Sequence, residues 1–347
     1  MWSLLLTSLL LKAFIPVYVS GYKIDQSCED KGIAQDIRDA MTSAFEKAYD
    51  AYGILVSPPL HAEALELLGF LFAKDGVDPA KLVEEGKMAK TISILESMNT
   101  NMRNEVTGHA SVLPEDVVVF CHFDRWKPVE GEEDLWRDST NGIKLKFKEQ
   151  QCRGGTNLDK VALAVTFNPE TEDEDITWRN GVPMESRQPT QIQLCTWFVD
   201  WIKQKKFKLS DDAQRRTNIG RAMINMAEWN MFGLTQIADA FNLLDKVLLH
   251  EMTHGRGAYI RYNDGMVEAE GLADVPSTTR LLGLFTSPAY GWKAALQLAR
   301  EGDDLGGEAA PDNNADTIAL FASGSWLLKN KAKIDSKGRI VKRTGVT

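Results

Sequence analysis

Apolar residues recur every three or four positions from Ile33 to about Tyr52, in IAQDIRDAMTSAFEKAYDAY, and more densely through LHAEALELLGFLFAKDG. That spacing gathers them on one face of a helix, so both stretches predict helices. VDPAKLVEEGKMAKTISILESM continues the helical region. The pattern then changes. DVVVFCHFDRW, GIKLKFKEQ, KVALAVTF and TQIQLCTWFVDWI are rich in β-branched and aromatic residues and are separated by polar or glycine-containing segments, which predicts strands. From about Leu234 to the end the helical period returns. Ile237, Phe241, Leu244, Val247 and Leu248 form one stripe over about three turns.

Helices, then strands, then helices predict an α+β fold, with a mixed or antiparallel sheet packed on helices. The expected organisation is a leader over residues 1–21, a helical N-terminal region over 22–115 that is a propeptide or an integral subdomain, a main domain over 116–328, and a frayed basic tail over 329–347. The acidic stretch NPETEDEDITW reads as a solvated loop, because it lacks the glycine and glutamate spacing of a calcium loop.

Composition narrows the possibilities. The chain has 347 residues, 44% of them apolar and 26% charged, which suits a folded globular protein. A net charge of -9 argues against nucleic acid, whose phosphates need clustered Lys and Arg. The opening MWSLLLTSLLLKAFIPVYVSGYK is apolar over Leu4 to Val19, too short for a membrane span, and reads as a secretory signal cut near Tyr22. Secretion makes disulfides possible for Cys28, Cys121, Cys152 and Cys195, with three pairings open. No Asn-x-Ser/Thr sequon occurs.

The sharpest chemical signal is HEMTH. On a helix His250 and His254 lie one turn apart on one face, so both imidazoles can reach one zinc ion. Glu251 lies beside that face, where it can orient a water and accept its proton as general base. The bland alternative is a helix whose histidines bond backbone carbonyls. A third protein ligand is required, and no histidine follows at the HExxHxxGxxH spacing. The carboxylates downstream are Asp264, Glu268, Glu270, Asp274 and Asp316.

HEMTH, then AYGWKAALQLA from Ala289, then NNADTIALFASGSWLL from Asn313, resemble in order the deuterolysin-like zinc metalloendopeptidases, or aspzincins, and their fungal secreted relatives. The match covers about residues 240–328. The resemblance implies a zincin-like fold, zinc on His250 and His254, and Glu251 as base. The family's third ligand is an aspartate three residues before a Tyr-Gly pair, and here that position holds Ser287. Asp274 is the expected replacement, because the loop after HEMTH looks lengthened, with Asp264 as the runner-up. Tyr290 is expected either to offer its hydroxyl to the developing oxyanion or to pack its ring. Asp316 is expected either to hold a histidine N–H or to serve the start of its own helix, and a structural role is expected of Asn314.

The sequence therefore predicts a secreted, extracellular zinc metalloendopeptidase acting on protein or peptide substrates, with no nucleic-acid partner and no membrane contact beyond the signal. The alternative is a secreted zinc-binding or host-interaction protein on the same fold that does not cut.

Overall fold

The computed structural model describes residues 21–108, 112–113, 116–146, 152, 162–169, 177–179, 182–184, 188–205, 237–240, 243–259, 271–281 and 285–342. Residues 1–20 of the expected leader, Asp264, Glu268, Glu270 and most of the acidic stretch lie outside these residues, and Gly21, the leader's expected last residue, opens β1.

The fold is α+β, built on a mixed sheet. Strands β1 (Gly21–Ile24), β2 (Asn104–Glu105), β3 (Val117–Phe120), β7 (Ala164–Phe167) and β10 (Thr190–Leu194) stand in the order β2-β1-β3-β10-β7. The first four run parallel, and β7 pairs antiparallel with β10 at one end. All four residues of β3, Val-Val-Val-Phe, are buried, as an interior parallel strand requires. Strands β4 (Trp126–Pro128), β5 (Leu135–Asp138) and β6 (Lys144–Lys146) form a separate antiparallel sheet, and β8 (Thr177–Arg179) pairs with β9 (Val182–Met184).

Helices α1 (Gln26–Asp30), α2 (Ala34–Val56), α3 (Ala62–Phe72), α4 (Pro79–Glu84) and α5 (Ala89–Asn101) come from the N-terminal region. They share one hydrophobic core with the histidine helix, Leu243–His254, and with the helix Ala315–Lys329. On α2 the buried positions include Ala34, Ala40, Ala44, Ala48 and Ala51. These small side chains let α2 lie closely against both later helices. Disulfides Cys28–Cys121 and Cys152–Cys195 tie α1 to the end of β3 and residue 152 to the end of β10. No helix among the described residues is long and apolar enough to cross a membrane.

Several expectations change. TQIQLCTWFVDWI is not one strand: β10 ends at Leu194, and Thr196–Lys205 forms helix α6. Trp197, Phe198 and Trp201 fit a helical face as well as a strand, and period alone does not separate the two in short apolar runs. The stretch from Val77 to Met98 continues the helical region as expected, as two helices divided at Gly86, whose φ of +71° a side chain would strain. The region after Leu234 is not wholly helical. It contains a hairpin of Pro276–Leu281 with Phe285–Pro288, and a second of Ala332–Ile334 with Ile340–Lys342. The second replaces the expected frayed tail over its described part, because Ala332 and Ile334 are buried and Asp335 accepts the backbone N–H groups of Lys337 and Arg339 to close the turn.

The histidine helix is buried on every side from Leu243 to Thr253. Its Asp245 therefore needs a partner, and the ammonium of Lys47 on α2 supplies one at 2.7 Å, with both side chains at most 1% exposed. Removing one member of such a pair leaves an uncompensated buried charge. Lys47→Ala is expected to lower stability by about 3–5 kcal/mol in denaturant unfolding, whereas Lys47→Met combined with Asp245→Leu recovers most of the loss.

Candidate metal site

His250 and His254 come from the last turns of the histidine helix, and the backbone beyond it fixes both rings. Leu272 donates its N–H to the Thr253 carbonyl, and its own carbonyl lies 2.5 Å from Nδ1 of His254. Nδ1–H of His254 thus donates to Leu272, which leaves the Nε2 lone pair for the site. Gly271 makes this approach possible, since a Cβ there would stand 2.0 Å from the His254 carbonyl oxygen.

Asp274 arrives on the same extended segment. Ala273 bridges to the start of the helix Ala315–Lys329 through Ala273 N–H to Asn313 O and Ala315 N–H to Ala273 O. Asn314 Oδ1 accepts the Val275 N–H at 3.3 Å, and its Nδ2 donates to Ala289 O at 3.1 Å. Asn314 is therefore a clamp holding the segments of Asp274 and Tyr290 together.

The result is a triangle. The two Nε2 atoms are 3.2 Å apart, and Asp274 Oδ1 is 3.2 Å from Nε2 of His250 and 3.5 Å from Nε2 of His254. Ligand atoms bound tetrahedrally with bonds of about 2.0–2.1 Å stand about 3.3 Å from one another. His250, His254 and Asp274 can thus hold a metal ion with three protein ligands. Ser287, where the family spacing puts an aspartate, lies instead in the strand Phe285–Pro288.

Charge around the triangle is consistent with a cation. Burial alone disfavours a protonated His250, but the hydrogen bond and charge of Asp274, followed by Asp316 and Glu251, outweigh it and raise its pKa to about 10. Burial likewise opposes ionised Asp274, yet the two imidazoles hold it well below the usual carboxylate range. Without metal, a proton on His250 supplies the positive charge. Metal binding displaces it.

Asp316 reaches across from the first turn of its helix. Its Oδ1 is 3.3 Å from Nζ of Lys246 and 3.6 Å from Nδ1 of His250, while Oδ2 accepts the Gly291 N–H at 2.6 Å. Burial works against its ionisation, but Lys246 and then His250 bring its pKa down to about 2. This carboxylate faces a candidate ligand histidine and also fixes the turn that carries Tyr290. Asp239 accepts the next N–H, of Trp292, at 2.5 Å, and Gly291 at φ +82° leaves room for that carboxylate.

The Tyr290 hydroxyl donates to Asp274 Oδ2 at 2.7 Å, and its ring packs edge-on against His250. Burial, then the charge of Asp274, pushes its pKa far up, so it remains a protonated donor. Glu251 is buried beside the triangle, and its Oε2 accepts from Oγ1 of Thr166 at 2.6 Å. Asn168 Nδ2 donates to the His254 carbonyl at 2.8 Å. Sequence reading missed Thr166, Asn168 and Lys246. Thr166 lies in β7 and Asn168 just past its end, and their contacts with the histidine helix join residues more than 80 positions apart, which no local period signals.

Comparisons with protein-family models, with curated proteins and with solved structures found no match. Asp274→Asn is expected to weaken metal binding by more than Asp316→Asn, for which about 10- to 100-fold is expected, both read by competition with a chromogenic chelator.

Proposed function

We propose that the protein is a secreted zinc metalloendopeptidase of the deuterolysin-like, zincin-fold kind. The observation that carries this reading is the triangle of His250, His254 and Asp274 with Glu251 directly beside it. Two imidazoles and one carboxylate with tetrahedral spacing suit zinc and leave a fourth position for water or substrate. A pure metal binder has no use for Glu251. The two disulfides suit an oxidising, extracellular setting.

Chain connectivity supports the resemblance too. Pro276 pairs with Pro288, and the Ala289 N–H donates to Val275 O at 2.7 Å, so the hairpin 276–288 projects from a closed base between Asp274 and Tyr290. Without that hairpin the chain reads Asp274-Val275-Ala289-Tyr290-Gly291, which has an aspartate three residues before Tyr-Gly. On this reading residues 276–288 are a hairpin inserted into the family spacing.

His250, His254 and Asp274 would hold zinc, and zinc when bound supplies Lewis acidity that activates water and polarises a peptide carbonyl. Glu251 takes the proton of the attacking water on a carboxylate oxygen and passes it to the leaving amine. Tyr290, kept protonated, turns its hydroxyl from Asp274 toward the carbonyl oxygen as negative charge develops there. Asp316 keeps His250 in register from behind.

The test is cleavage of an unfolded casein by the zinc-loaded chain beside its Glu251→Gln variant. The wild-type chain is expected to cut and the variant to lose about 100- to 10,000-fold in rate with zinc retained. No cutting by a wild-type chain carrying one zinc would leave the reading of a secreted zinc-binding protein. A chain with residues 276–288 excised and Val275 joined to Ala289 is expected to keep its zinc, because the segment that carries Asp274 is buried against the one that carries Tyr290 through Val275, Ala289 and Leu298; loss of zinc by a folded excised chain would count against the insertion.

A further inference from the structure

We propose that Thr166 is the positioning residue for Glu251, fixing one carboxylate oxygen so that the other is aimed to take a proton; this rests on the peptidase reading above. A general base gains its effect only if its accepting oxygen is held within hydrogen-bond reach of the proton. A glutamate has three rotatable bonds, so its position on a rigid helix does not by itself set where the carboxylate points. Something must hold the far end.

Thr166 does so. Its Oγ1 is 2.6 Å from Glu251 Oε2 and 3.1 Å from the Glu251 backbone carbonyl. A hydroxyl has one proton, and the shorter, charged acceptor takes it. Among the described residues no donor meets Oε1, which leaves that oxygen for a proton from water. The threonine is itself fixed. Thr166 pairs with Ile192 of β10, and just past the end of β7 Asn168 bonds the His254 carbonyl, with its Oδ1 receiving the Thr190 hydroxyl at 2.8 Å. Phe167 between them turns the other way and packs on Trp126. Strand β7 and the residue that follows it thus hold HEMTH twice, Thr166 at Glu251 and Asn168 at the backbone of His254. The grip on Glu251 is the one that bears on proton transfer.

Valine is the discriminating substitution, because it keeps the branched shape that suits a strand and loses only the hydroxyl. The experiment measures kcat and KM of the full, zinc-loaded chain on a quenched fluorescent peptide taken from a casein cleavage site, for wild type, Thr166→Val, Thr166→Ser and Glu251→Gln, together with zinc content and melting temperature. Thr166→Val is expected to lower kcat about 10- to 100-fold with KM within about threefold, and Thr166→Ser to restore most of it, with zinc content unchanged in both and any fall in melting temperature confined to Thr166→Val. Wild-type kcat in Thr166→Val would overturn this role while the peptidase reading stands. Equal losses in Thr166→Val and Thr166→Ser, accompanied by lost zinc or a lowered melting temperature, would also overturn it, since packing would then account for the effect. No cleavage by the wild-type chain would overturn the peptidase reading and this role with it.

Discussion

Burying a helix that carries Asp245, Lys246, His250 and Glu251 imposes the constraint on which the rest of the structure depends. Each of these polar groups loses water, and each must recover an interaction from the protein. The partners come from four directions: Lys47 on α2, Asp316 on the helix Ala315–Lys329, Asp274 on the segment after the histidine helix, and Thr166 on β7. Those four contacts draw the N-terminal helices, the sheet, the C-terminal helix and the 271–275 segment around one helix. The same contacts define the site. Fold and candidate chemistry share one set of interactions, which is why α2, in a region that sequence alone leaves as propeptide or subdomain, takes part in the packing of the histidine helix.

Much of this was legible in the sequence where the signal is local. Helix period marked α2 and α3, the runs of valine marked β3, and four-residue spacing put His250 and His254 on one face. What was hidden depends on partners far along the chain. The strand Gly21–Ile24 is only four residues long and gains its identity from pairing with β2 and β3, so no period announces it. Lys47 is a charged residue between Glu46 and Ala48 that no pattern marks as interior, and only the packing of α2 against the histidine helix shows it to be buried. The hydroxyl of Thr166 acquires a role only when β7 comes to lie along Glu251.

Asp274 shows how spacing in sequence and spacing in space come apart. Counting back from Tyr290 leads to Ser287, and no propensity rule would prefer a carboxylate 16 residues away. The antiparallel pairing that closes the hairpin at Pro276 and Pro288 makes those residues a detour, and Asn314 then fastens the two ends that the detour separates. The result is a hydrogen bond between Tyr290 and Asp274 of the length expected for close neighbours. Backbone bonds at the base of the hairpin hold Asp274 and Tyr290 together whatever the length of chain between them.

Charge balance gives the last step. Around the two imidazoles stand three carboxylates, those of Asp274, Glu251 and Asp316, and one ammonium, that of Lys246. With neutral imidazoles the group carries an excess of two negative charges in a largely buried setting, where Coulomb energies are large. A proton on His250 offsets one of them, which is why its pKa is raised to about 10 in the metal-free chain. A divalent cation at the triangle would offset both, with a lone pair from each imidazole and an oxygen of Asp274 as its ligands. The site therefore carries an excess of negative charge that a proton offsets by half and a divalent cation would offset in full.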